Sequence, residues 1–318
     1  MKDKKINELI GKCFTKAQSS KRKCFVEGCN NNAINSHLLQ KNGTLSLLAE
    51  KQHVWQTSYD KFPKGNYTIK EVGVNNSLTF KGFCNLHDTQ IFKSIESGTI
   101  NFDEYKNLLL LSYRALLKEY RDKETMNDCF RLILKQVNDL KSKSSFEAMI
   151  TANQYMMWDL EYDMACINED LSTESRVFHF EVLALPKLEV CCSACFSLVS
   201  IADSLKITES GYIKTEPIPA VILNLIPEAN ETKLILGYNK ISEKYLLDPI
   251  SEFRNLRDDE LLKKVSDFII RSVEIWICSN TFYQEKIYPR KEKIITLLNH
   301  FVLQGQFSKE KIDLNLFK

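Results

Sequence analysis

The stretch KCFVEGCNNNAINSHLLQ (Lys23–Gln40), answered by GFCNLHDTQIF (Gly82–Phe92), decides how this chain is read. Five metal-ligand side chains fall inside it: Cys24, Cys29, His37, Cys84 and His87. Their spacing is C-x4-C, then x7-His, then 46 residues, then C-x2-H. Zinc sites use ligand pairs at such spacing because a short turn aims both side chains at one ion, and a second pair completes the tetrahedron. Cys24, Cys29, Cys84 and His87 make two tight pairs and are the expected ligands of a structural Zn²⁺. A set with His37 in place of His87 is the alternative.

The flanks of the second pair fit such a site. FKGF before Cys84 reads as a strand entering it, and HDTQIF after it as a helix leaving it. That is the layout of a treble clef: a knuckle, a hairpin and a last ligand pair at a helix N-terminus. Lys21, Arg22 and Lys23 lie just before the first cysteine and are candidate phosphate contacts; a solvated face is the plainer reading.

Composition bounds the rest. A chain of 318 residues with 44% hydrophobic content builds real cores, in about two or three domains. A net charge of +2 gives no global field toward nucleic acid, so any such binding is local. The opening MKDKKINELIGKCF lacks an apolar signal segment, and no run approaches the ~20 apolar residues of a membrane span. A soluble cytoplasmic protein is expected, with no membrane partner. Of ten cysteines, three lie in the opening stretch. Cys191 and Cys192 are adjacent in an apolar run and would point to opposite faces of a strand, as buried thiols rather than ligands of one ion.

Outward from the opening stretch, Ile6, Leu9, Ile10 and Phe14 predict a helix over 3–18. Tyr67–Val74 and Ser77–Phe83 read as a hairpin around Asn75-Asn76. Residues 101–172 are helical: a first helix capped by Asn101 or Asp103, a second segment marked by Phe130, Ile133 and Val137, and a third capped by Ser144 or Ser145. This segment is a candidate dimerisation or partner-binding arm. Residues 173–250 are rich in strands: Arg176–Leu183, Leu188–Ser200, Ala220–Leu225 and Lys233–Tyr238, with PEANETK as a hairpin turn. Helix returns over Leu261–Val273 and Arg290–Val302, with a strand and its exit in VEIWICSNTFY. The expected fold is α+β: a zinc-binding module over 1–100, antiparallel helices over 101–172, and an antiparallel sheet with helices over 173–318.

The opening stretch resembles the zinc-containing HNH, or His-Me finger, endonucleases. That resemblance implies a metal-dependent nuclease, with His37 as the general base that activates water. It also implies that Asp88, directly after His87, helps hold a catalytic Mg²⁺ or Mn²⁺. The partner implied is nucleic acid, DNA before RNA. The chain departs from the pattern in three places, one of them Asp88 itself, which stands where the family has His or Asn. Ser36 stands where the family has Asp or His, and 54 residues separate Cys29 from Cys84. SH…FCxxHD…F with a C-terminal α+β half is also similar to uncharacterised bacterial proteins of phage-defence neighbourhoods, which implies an antiviral effector. Against these stand plainer roles. His37 buttresses the zinc ligands, Asp88 caps its helix, and the protein is a non-catalytic zinc finger for nucleic acid or for a partner subunit in a defence or toxin system.

Overall fold

The computed structural model describes residues 2–60, 65–199, 217–302 and 310–318. Helix α1 (Lys2–Ser19) forms on the predicted spacing. It buries Cys13 and Ala17 against Cys129, Phe130 and Ile133 of helix α3 (Tyr105–Leu134). Between them lies the ligand-bearing module. Strand β1 (Asn35–His37) pairs antiparallel with β4 (Thr79–Lys81), and the short helix α2 (Asn85–Ile91) follows.

The long excursion between β1 and β4 carries a hairpin of its own, β2 (His53–Asp60) with β3 (Asn66–Gly73). This corrects the expected hairpin around Asn75-Asn76. Val74–Asn76 is a single 3₁₀ turn, and the strands before and after it pair with different partners, β3 with β2 and β4 with β1.

The helical segment is also simpler than its sequence pattern. The first two expected helices are one, α3, whose 30 residues run without interruption. Helix α4 (Leu140–Thr173) folds back along it. Its cap is Asp139, whose carboxylate accepts the Ser142 N–H at 2.8 Å, so neither Ser144 nor Ser145 begins the helix.

Strands β5 (Phe178–Pro186), β6 (Val190–Phe196), β7 (Val221–Pro227) and β8 (Glu231–Asn239) appear where strands are expected, with the PEANETK turn joining β7 to β8. The last expected residue of the second strand, Ser200, lies outside the described residues. Helix α5 (Glu243–Asn255) has no counterpart in the sequence reading and contains Pro249. Helix α6 (Asp258–Ser272), strand β9 (Trp276–Cys278) and helix α7 (Lys291–His300) complete the chain order.

Among the described residues, the strands other than the β1–β4 pair join one antiparallel sheet of order β3-β2-β9-β6-β7-β8-β5. The β2–β3 hairpin of the N-terminal segment thus shares a sheet with the C-terminal strands. One sheet face packs on α5, α6 and α7. The other packs on α3, α4 and the module in a second continuous core. Cys192 lies in the first core and Cys191 in the second, on opposite faces as alternation requires. No helix among the described residues is long and apolar enough to cross a membrane.

Candidate metal centre

The knuckle is built by backbone geometry. The Cys29 N–H donates to the Val26 carbonyl at 3.0 Å, and the Cys24 N–H to Asn31 at 3.0 Å. Gly28 sits at φ +75°, a left-handed turn that suits glycine, and it brings the chain round to Cys29. The knuckle is then docked on the second ligand pair. Phe25 donates to the Gly82 carbonyl and Ile34 to that of Phe83, which carries the chain to Cys84 at the start of α2.

These constraints bring four side chains together. The ligand atoms of Cys24, Cys29, Cys84 and His87 all lie within 4.8 Å of one another. Nδ1 of His87 is 3.3 Å from Cys24 Sγ and 3.4 Å from Cys84 Sγ, and the Cys29 and Cys84 sulfurs are 3.9 Å apart. With bonds of about 2.0–2.3 Å, the ligands of a tetrahedral ion stand about 3.4–3.8 Å apart. The Cys3His group could therefore hold a metal ion with little movement. The His87 backbone N–H pulls the Cys84 thiol down from its ordinary range, toward the thiolate a metal needs. Burial raises that of Cys24.

Helix α3 clamps the module from behind. Arg121 donates to the Lys23 carbonyl at 2.9 Å and the Lys81 carbonyl at 2.7 Å, and its guanidinium lies 4.0 Å over the Phe25 ring. One side chain thus ties both entering segments. Phe83 packs edge-on against Phe25 and Phe92.

The remaining sequence candidates lie around this centre. His37 is half-buried, and its Nε2 sits 2.9 Å from the Val74 carbonyl. It takes no part in the ligand group, so His87 fills the position for which His37 was the alternative. Ser36 is buried, and its hydroxyl has no hydrogen-bond partner among the described residues.

Asp88 faces a cation of the protein itself: its Oδ1 lies 3.6 Å from Nη2 of Arg114. Arg114 is 1% exposed, stacks 4.0 Å over Phe92 and also pairs with Glu96. Among the described residues, His37 and Asp88 do not belong to any shared metal-ligand group.

Of the basic cluster, Arg22 is buried and paired with Asp128 at 2.5 Å and Glu124 at 3.6 Å. Lys23 donates to the Asn30 carbonyl at 2.6 Å and closes the knuckle. Lys21 is exposed, as are Lys12 and Lys16 one helical turn apart on α1. The residues missed by sequence reasoning are Arg114 and Arg121. Their signal was present for Arg114: a charge inside the apolar run LLLLSYRALL.

Comparison with protein-family models, curated proteins and solved structures finds no match to this chain.

Proposed function

We propose that the protein binds nucleic acid through a module stapled by structural zinc, and that the module is not catalytic. Support for zinc is the donor set: three thiols and an imidazole, soft and borderline ligands in closed tetrahedral spacing, suit Zn²⁺ better than Mg²⁺ or Ca²⁺. The observation that favours binding over cleavage is the Asp88–Arg114 contact. A buried guanidinium already neutralises the one carboxylate that would hold a catalytic ion. A divalent cation at the same oxygen would meet a fixed positive charge. The binding surface is the set of exposed lysines Lys12 and Lys16 on α1 and Lys21 in the segment that leads from it to the knuckle. It replaces the expected Lys21–Lys23 cluster, whose other two members are engaged within the fold.

Purified protein should contain one zinc per chain by elemental analysis. It should bind a labelled DNA duplex in fluorescence anisotropy with strong salt dependence. Reversing Lys12, Lys16 and Lys21 to Glu should weaken binding at least about tenfold and flatten the salt slope by up to ~0.9 per lost phosphate contact. Absence of binding at low salt, to DNA and RNA alike, overturns this reading.

A second reading keeps the nuclease. It is favoured by the His37 tautomer: a carbonyl only accepts, so Nε2 carries the proton and Nδ1 of the neutral ring has a free lone pair. Plasmid nicking with Mg²⁺ or Mn²⁺ separates the two. Activity lost in His37→Ala selects the nuclease, and no activity in either protein selects binding.

A further inference from the structure

A groove of about 480 Å³ lies where the chain after β1 and the segment following α2 meet the β7–β8 turn. That volume falls in the range of small-molecule sites. The floor is apolar: Ile100, Phe102 and Ile226 line it and are buried. The wall carries the Gln40 amide. Its Nε2 donates to the Glu96 carbonyl at 2.8 Å and to that of Gly98 at 3.0 Å, so the amide has spent its donors and Oε1 is the polar atom that remains. Gly43 makes room for that oxygen, because a Cβ there would stand 2.0 Å from it. Gly43 is the middle residue of a π-helical turn, Lys41–Leu45, a geometry often found beside functional sites.

The rim is acidic. Glu231 is matched by Lys233 at 2.7 Å. Glu228 closes the turn through its backbone N–H, 2.8 Å from the Glu231 carbonyl. Its carboxylate has no ion pair or hydrogen bond among the described residues. Among those residues, no Lys, Arg or His lines the groove. An apolar floor, a fixed acceptor and one carboxylate that feels Lys233 without a direct ion pair together call for a donor with a single positive charge and a hydrophobic body.

We propose that this groove binds a small organic monocation, an arylalkyl- or alkylamine, with its ammonium at Glu228 and its apolar body on Phe102 and Ile226. Burial pushes the Glu228 carboxyl up, against the pull of Lys233, and a bound ammonium would reverse that cost.

The probe is phenethylamine, titrated into the whole 318-residue chain by calorimetry. Its isosteres 2-phenylethanol and 3-phenylpropanoate supply the neutral and anionic arms, and a capped lysine tripeptide supplies a protein-like source of the same cation. Saturable binding of phenethylamine is expected, about tenfold weaker for either isostere and for Glu228→Gln, the loss of one modest ion pair. Glu228→Gln should keep the wild-type melting temperature, which separates lost binding from lost folding. No saturable heat up to millimolar phenethylamine overturns the proposal. So does undiminished binding by Glu228→Gln, or binding of the peptide alone.

Discussion

Arg114 shows how a single side chain sets what the module is able to do. It sits among leucines, is 1% exposed, and holds Glu96 and Asp88 while stacking on Phe92. Arg114→Ala leaves two carboxylates facing an empty space. Both retain some exposure, so the expected loss is about 2–3 kcal/mol in urea denaturation, less than for a fully buried pair. Arg114→Met, which keeps the contact with Phe92, should recover part of it, and equal losses in the two variants would assign the effect to the lost ion pairs alone.

Cys84→Ser tests the other load on α2. It should take bound zinc from one equivalent to near none and cost about 3 kcal/mol or more, because metal binding there is folding free energy. A Cys84→Ser protein with full zinc content would move the ligand set elsewhere. Both ligand pairs were legible in the sequence because spacing is itself the chemistry of a tetrahedral site. The neutralisation of Asp88 was not, since it depends on which way α3 is rotated when it lands on the module.

Among the elements, the α4 face against the sheet carries a titrating group. Asp163 is buried and accepts from Nδ2 of Asn239 on β8 at 3.0 Å. Burial, aided by the charge of Asp159 and opposed by Asn239, pushes its carboxyl up to about 7. In the unfolded chain it returns to the ordinary range near 4. The native state therefore holds the proton more tightly. This contribution favours folding below about pH 4, declines as pH rises, and is lost once pH passes 7. Asp163→Asn should remove that slope and gain on the order of 3 kcal/mol over wild type at pH 8, with little difference at pH 4. Parallel stability curves for the two proteins between pH 4 and 8 would show that Asp163 titrates normally.

The elements themselves were legible to different degrees. Helices α1, α3 and α4 follow from apolar stripes in a stretch free of proline. Strands β5 to β8 follow from β-rich runs separated by turn residues. Pairing is another matter. Alternation tells that a strand exists and which face it buries, never which neighbour it takes. Asn75-Asn76 therefore looked like a hairpin turn, although β3 had already paired backward with β2. Helix α5 escaped because Pro249 stands in its middle and β-rich sequence precedes it.

In the molecule as a whole, the two halves of the sheet meet at a strand of three residues. β9 pairs with β2 on one side and β6 on the other. Trp55 reinforces the joint, stacked at 3.5 Å on Tyr283 and donating to Asn280, 225 residues away in sequence. The strand itself is readable in VEIWICSNTFY, but nothing in its three residues tells that both of its edges are paired or with which strands.

Ile277 is fully buried at the joint, and Ile277→Asp should cost about 4 kcal/mol or more. Hydrogen exchange should then show protection lost in β2 and β7 alike. Protection kept in β7 while β2 opens would mean that the two halves fold apart.

The joint also gives the chain a timetable. At about 5–20 residues per second, a ribosome delivers β9 roughly 10–45 s after β2, given the 225-residue gap between Trp55 and Asn280. For that interval β2 waits beside the ribosome with one edge unclaimed, a template for pairing with any neighbouring nascent chain. The four side chains that could hold a metal ion are complete once His87 has been added, early in the same interval. If a metal ion fills that group, its supply during synthesis would set whether the waiting segment is an ordered body or a sticky one, before the rest of the protein exists.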